Sequence, residues 1–145
     1  MSTQPPPALR PPPSRSVTTM LAAAHSCLCE AAGSPLPADR YVAAHLAALR
    51  AAAAVLAARA QPATSKRASR PTSAWALLSA LAPELTEWSA FFAAGAAKRQ
   101  AAEAGATSAV SQREADDLMR DAETFLAVVA ELVATGRQTT LRAVS

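Results

Sequence analysis

Arg40 and His45 stand with four residues between them in the run Arg40-Tyr41-Val42-Ala43-Ala44-His45. The pair brings a proton-transfer group and a guanidinium into one short segment. Histidine titrates near neutrality and can move a proton, while arginine carries a planar, permanently charged fork that can hold a phosphate. Metal-independent RNA cleavage needs both: a base to take the ribose 2′-hydroxyl proton and a cation to stabilise the pentacoordinate phosphate. Helical geometry sets a condition, because residues five apart on a regular helix point about 140° away from each other. Convergence therefore requires Arg40 to sit in a frayed first turn, or a second protomer to contribute across a two-fold axis. A structural reading stands beside the chemical one. In it Arg40 is an ordinary helix-start residue, and His45 is a flank histidine bonded to whatever lies opposite.

The other candidate groups point to packing more than to chemistry. Trp88, Phe91 and Phe92 could stack on bases, yet Leu85, Trp88 and Phe92 recur at spacings of three and four, as core residues of a helix do. Glu84 and Glu87 lie three apart, but no Glu-x-x-His occurs to support a di-metal site. Cys27 and Cys29 are two apart on an expected helix, so their side chains diverge by about 200° and should not pair. His25 could share a metal with Cys29, but no second pair of ligands completes such a site. The glycines Gly33, Gly95, Gly105 and Gly136 are too scattered for a phosphate loop, and no serine lies in a nucleophile elbow. No metal or cofactor is expected.

The elements that must position Arg40 and His45 are helices. The chain has 145 residues, more than a quarter of them alanine, with few aromatics and no alternating β-branched run. That composition predicts an all-α domain, an antiparallel bundle of four to five helices. A first helix is expected from about Val17 to Ala32, with Gly33 as its stop. Asp39 is a plausible N-cap for a second helix reaching Ala60, with Val42, Leu46, Leu49, Ala53 and Leu56 as its buried stripe. A third starts near Ser73, and Pro83 breaks it and opens a fourth that ends around Glu103 to Gly105. The last has the clearest start, the capping box Ser111-Gln112-Arg113-Glu114, and should run to Ala134 with Gly136 as its stop. Its apolar face is Leu118, Ala122, Phe125, Val129 and Leu132, and Asp116 with Arg120 should form an i, i+4 ion pair on the wet side. The domain boundaries that follow are a proline-rich tail over 1–15, a helical domain over 16–135 and a short C-terminal tail over 136–145.

The net charge of +3 does not describe a phosphate-binding face. Arg10 and Arg15 belong to the tail, Lys66, Arg67 and Arg70 to an expected loop over 61–72, and Arg137 and Arg142 to the end, while the last helix is acidic. The two proline triplets of the tail favour an extended chain, which can be a plain solvated tail or a segment that docks on an aromatic groove. No basic-then-apolar leader opens the chain, and the longest apolar stretch is interrupted by His45 and Arg50. A soluble, cytoplasmic protein without a membrane partner is expected.

Three segments together resemble a small actinobacterial branch of the HEPN domains (higher eukaryotes and prokaryotes nucleotide-binding). They are Arg40 to Arg59, Trp75-Ala76-Leu77-Leu78 through Pro83-Glu84-Leu85-Thr86-Glu87-Trp88-Ser89-Ala90-Phe91-Phe92, and Arg113-Glu114-Ala115-Asp116-Asp117-Leu118. The resemblance implies a helical bundle of HEPN type that commonly forms a homodimer, and it implies RNA as a ligand. It also implies catalytic roles, with His45 in proton transfer and Arg40 on the scissile phosphate of a metal-independent endoribonuclease, toxin-like in setting. A nucleotidyltransferase-type antitoxin is then an expected partner protein. The alternative is a non-catalytic interaction module or adaptor that keeps the bundle for binding.

Overall fold

The computed structural model describes residues 15–59 and 73–144, with the side chains of Arg15, Thr107 and residues 137–144 left aside. The expected proline-rich tail and the basic loop over 61–72 lie outside the described residues. Five α-helices pack together, and no strand occurs among the described residues. They are α1 (Arg15–Gly33), α2 (Pro37–Arg59), α3 (Ala74–Leu81), α4 (Thr86–Glu103) and α5 (Gln112–Val144).

Local chemistry explains most of the boundaries. Ser73 caps α3 by accepting from the Ala76 amide at 3.1 Å. Pro83 cannot donate to the preceding turn, so α3 ends and a 3-10 turn, Pro83–Leu85, leads into α4. At the start of α5 the capping box forms as expected: Ser111 Oγ accepts from the Glu114 amide at 3.1 Å and Glu114 Oε1 from the Ser111 amide at 2.9 Å. Gly105 takes a φ of 98° just beyond α4, where a side chain would be strained.

Two expected boundaries are corrected. Asp39 is not the N-cap of α2, because the helix starts at Pro37 and the Arg40 amide already donates to Leu36 O at 3.0 Å. A proline suits the first helical position, which leaves Asp39 within the first turn. Gly136 does not stop the last helix, which continues to Val144. Glycine lowers helix stability by about 1 kcal/mol, but it ends a helix only when it takes a left-handed conformation, and Gly136 does not.

The ion pairs and close approaches give the bundle its directions. Arg40 meets Asp116 and Lys98 meets Glu114, while Gly95 lies against Tyr41, so the end of α4 and the starts of α2 and α5 share one end of the bundle. At the opposite end Arg59 holds Glu84 with a two-pronged contact at 3.0 and 2.5 Å and also donates to Leu81 O. Thus α2 and α5 run one way and α1 and α4 the other.

The central helix is α2, which packs on α1, α3, α4 and α5. Its buried positions are alanines for the most part: Ala38, Ala43, Ala44, Ala47, Ala48, Ala51, Ala52 and Ala54. The stripe expected from sequence, Val42, Leu46, Leu49, Ala53 and Leu56, is only half-buried. A helix surrounded by neighbours needs small side chains where backbones approach, and its longer aliphatic groups lie at the margins of the contacts. The other half of the core is aromatic: Trp75 and Trp88 each meet both Phe92 and Phe125, which also meet each other, with centroids 5.1 to 6.3 Å apart. On α5 the expected face holds, with Leu118, Ala122, Phe125 and Val129 buried.

By length and composition α2 is long and apolar enough to cross a membrane, despite His45 and Arg50; more than half of the qualifying window is buried among the other helices.

Candidate functional site

Arg40 and His45 lie on two different faces of α2. At helical spacing Ala44, Ala47 and Ala51 continue the Arg40 face, whereas Tyr41, His45, Ala48 and Ala52 form the next one. The partners of the two residues differ accordingly.

Arg40 works at the corner between α1 and α2. Its Nε donates to Ala31 O at 3.0 Å, and its Nη2 to Ala32 O at 3.4 Å and Ser34 O at 3.1 Å. The last carbonyls of a helix carry partial negative charge, so a guanidinium there complements the dipole and adds a second donor to Ala31 O, which also accepts from the Ser34 amide at 3.2 Å. Its Nη1 reaches across to α5 and donates to Asp116 Oδ1 at 2.5 Å. Asp116 also accepts from Gln112 Nε2 at 3.2 Å. The expected Asp116–Arg120 pair is therefore corrected: Arg120 takes Asp117 at 2.5 Å, and Asp116 belongs to Arg40. A charge-assisted contact with a partly buried arginine outweighs an exposed pair along one helix.

His45 is fully buried. Its ring is stacked over Tyr41 and meets Trp75 and Phe92 edge-on, with centroids 6.0 to 6.5 Å away. Nε2 lies 2.8 Å from Phe92 O on α4. A carbonyl can only accept, so Nε2 carries a proton and donates, and in the neutral ring Nδ1 is the bare nitrogen. Burial pushes the imidazole pKa below its ordinary value; the Phe92 carbonyl opposes that shift, and the nearby Arg99 adds to it. The Nδ1 atom is buried without a hydrogen-bond partner.

Gly95 makes this contact possible. A Cβ at that position would come within 2.8 Å of Tyr41 Oη and 3.5 Å of His45 Cδ2. Without one, the α4 backbone approaches the Tyr41–His45 face closely enough for a helix carbonyl to accept the imidazole N–H. Burial in the same crevice raises the Tyr41 pKa, an effect that Lys98 opposes. From sequence Gly95 reads only as one of four scattered glycines and Asp116 only as a partner for Arg120, so their places beside His45 and Arg40 come from the fold.

A groove of about 530 Å³ lies beside this end of α2, lined by Glu30, Asp39 and Glu103 together with Cys27, Val42 and Leu46. Its charged lining is acidic, with no lysine or arginine among the described residues. Cys27 and Cys29 are free thiols. Among the aromatic candidates Phe92 is core, Trp88 is half-buried and Phe91 is exposed.

Comparison with known proteins gives the family. No curated protein and no solved structure matches the chain. A family model for HEPN-like domains matches residues 31–130, more than half of the chain, from the last turn of α1 through the buried part of α5. With that match and the five-helix bundle, the chain belongs to the HEPN-like domain family.

Proposed function

We propose that this HEPN-family chain acts as a binding module, in which Arg40 and His45 hold the bundle together instead of cleaving RNA. The observation that carries the reading is the burial of His45. Its only protonated ring nitrogen is committed to Phe92 O, and no phosphodiester can come within hydrogen-bond reach of it while α2 and α4 are packed. Two features support the same reading. The guanidinium of Arg40 is engaged by three backbone carbonyls and Asp116, leaving little of its fork for a phosphate. The adjacent groove carries Glu30 and Asp39, with Glu103 held by Arg99, a lining that offers a polyanion no cation of its own among the described residues. The ligand this reading favours is another protein, either a second copy of the chain in a homodimer or a partner of the nucleotidyltransferase-antitoxin kind.

One observation favours the nuclease reading instead. His45 Nδ1 has an unshared lone pair and no partner, as a general base does before substrate arrives. That reading requires α2 and α4 to part, and it keeps Arg40 as the phosphate ligand of a metal-independent endoribonuclease.

Incubating the purified chain with cellular RNA in EDTA separates the two. The binding-module reading expects intact RNA from wild type, and from His45→Gln a lower denaturation midpoint with no other consequence. Metal-independent cleavage by wild type that is absent from a folded His45→Gln variant would sink it in favour of catalysis. Sedimentation velocity on the same samples reads the homodimer directly.

A further inference from the structure

On the first turns of α4, away from the His45 crevice, Glu87, Trp88 and Phe91 line a shallow open groove of about 310 Å³. Trp88 and Phe91 are i, i+3 neighbours, so their side chains stand side by side on one helix face. Both are anchored from beneath. Trp88 stacks on Phe92 and packs against Phe125, and Phe91 meets Phe92 edge-on at 5.0 Å, yet Phe91 remains 45% exposed. Two rings held rigidly by the core with their outer faces wet form a surface that proline rings fit, because such contacts need little ordering on binding. Glu87 adds a carboxylate at the rim, and no hydrogen bond or ion pair engages it among the described residues.

The chain itself carries a segment of matching chemistry. Residues 5–13 read Pro5-Pro6-Pro7-Ala8-Leu9-Arg10-Pro11-Pro12-Pro13. A polyproline II helix has three residues per turn, which puts Pro7, Arg10 and Pro13 on one edge, a cation between two proline rings. We propose that this segment occupies the α4 groove of its own chain, with proline rings against Trp88 and Phe91 and Arg10 on Glu87.

Three arguments favour this occupant. The first is charge complementarity, since a cation at Arg10 suits a rim carboxylate that has no partner among the described residues. The second is place: α1 runs opposite to α2, so its first residue, Arg15, lies toward the end of the bundle where Arg59 meets Glu84 and α4 begins. The third is reach. Fourteen residues precede Arg15, and at about 3.1 Å per residue they extend well beyond two helix diameters of roughly 10 Å each. A short tether also holds the segment at an effective concentration of about millimolar, so a weak contact is enough to fill the groove.

The test is a comparison of indole N–H resonances in the full-length ¹⁵N-labelled chain. Replacing Pro11, Pro12 and Pro13 together by serine leaves the five helices unaltered in sequence and should move the Trp88 indole and Phe91 amide peaks. Trp75, buried in the core, is the internal control and should stay. Arg10→Glu should move the Trp88 peak in the same direction, and Arg10→Glu combined with Glu87→Arg should return it toward the wild-type position. The proposal is overturned if the Trp88 peak is the same in wild type and the triple serine variant. It is equally overturned if that peak follows protein concentration and not the tail substitutions, which would make the groove a contact between copies.

Discussion

The face of α2 that carries Arg40 and the face that carries His45 are built on opposite plans. Along the first, Ala44, Ala47 and Ala51 are fully buried, and α1 brings Ala24 and Ala31, also fully buried, to the core. Contact there comes from how little each side chain occupies. Along the second, Tyr41 and His45 meet Trp75 and Phe92, and behind them Trp88 and Phe125 bridge α4 to α5. Contact there comes from rings that span the gap between more distant helices. The comparison explains the fate of the two suggestive residues: each takes up the polar requirements of its own side. Arg40 closes the exposed corner where helix ends meet, and His45 supplies the hydrogen bond inside an aromatic cluster.

If the plans are opposite, truncation should be the costly change on one face and enlargement on the other. The largest effect is expected from Phe92→Ala, which removes the ring shared by Trp75, Trp88, Phe91 and Phe125 and should cost about 4 kcal/mol in urea unfolding. On the alanine face truncation matters little and enlargement matters: Ala47→Leu should cost about 2–3 kcal/mol by the same measurement. Equal tolerance of leucine at Ala47 and at the half-buried Ala53 would break the comparison.

A pH series sharpens it further. Because burial lowers the His45 pKa below its ordinary 6.5, the unfolded chain takes up a proton as pH falls through that value while the folded chain does not. The stability from neutral His45 is therefore whole above pH 6.5 and is lost as pH falls below it, with a slope of at most about 1.4 kcal/mol per pH unit. Denaturation midpoints of wild type should drop between pH 7.5 and 5.5, and His45→Gln should lack that part of the slope. The smallest effect is expected from Gly95→Ala. Its methyl group meets Tyr41 Oη at 2.8 Å, while alanine improves helix propensity by about 1 kcal/mol. A net loss of about 0.5–1 kcal/mol with a displaced Tyr41 ring, read by urea midpoint and tyrosine chemical shifts, is the expected outcome.

Much of the fold was legible because local chemistry decided it. The Ser73 cap, the break at Pro83 and the Ser111 capping box act within one turn, and each is where the sequence puts it. The α5 stripe was legible too, since one apolar face against a polar one has a single way to pack. What was not legible depended on partners far away in sequence. The burial of alanines in place of Val42, Leu46 and Leu49 follows from α2 having neighbours on several sides, which periodicity on one helix does not encode. Asp116 has an arginine four residues on, and nothing local reveals that Arg40 outcompetes it. For Arg40 and His45 the helical angle gave the right question, whether they converge. Their separate partners, Asp116 and Phe92, could come only from three dimensions.

Arg40 also fixes an order of assembly. Three of its bonds close over six to nine residues of chain, whereas the fourth closes over 76. Loop-closure entropy makes the short contacts available as soon as α1 and α2 form a hairpin, and the long one only after α5 has docked. One side chain thus serves first as the latch of a local hairpin and then, through Asp116, as the receptor for the last helix to arrive.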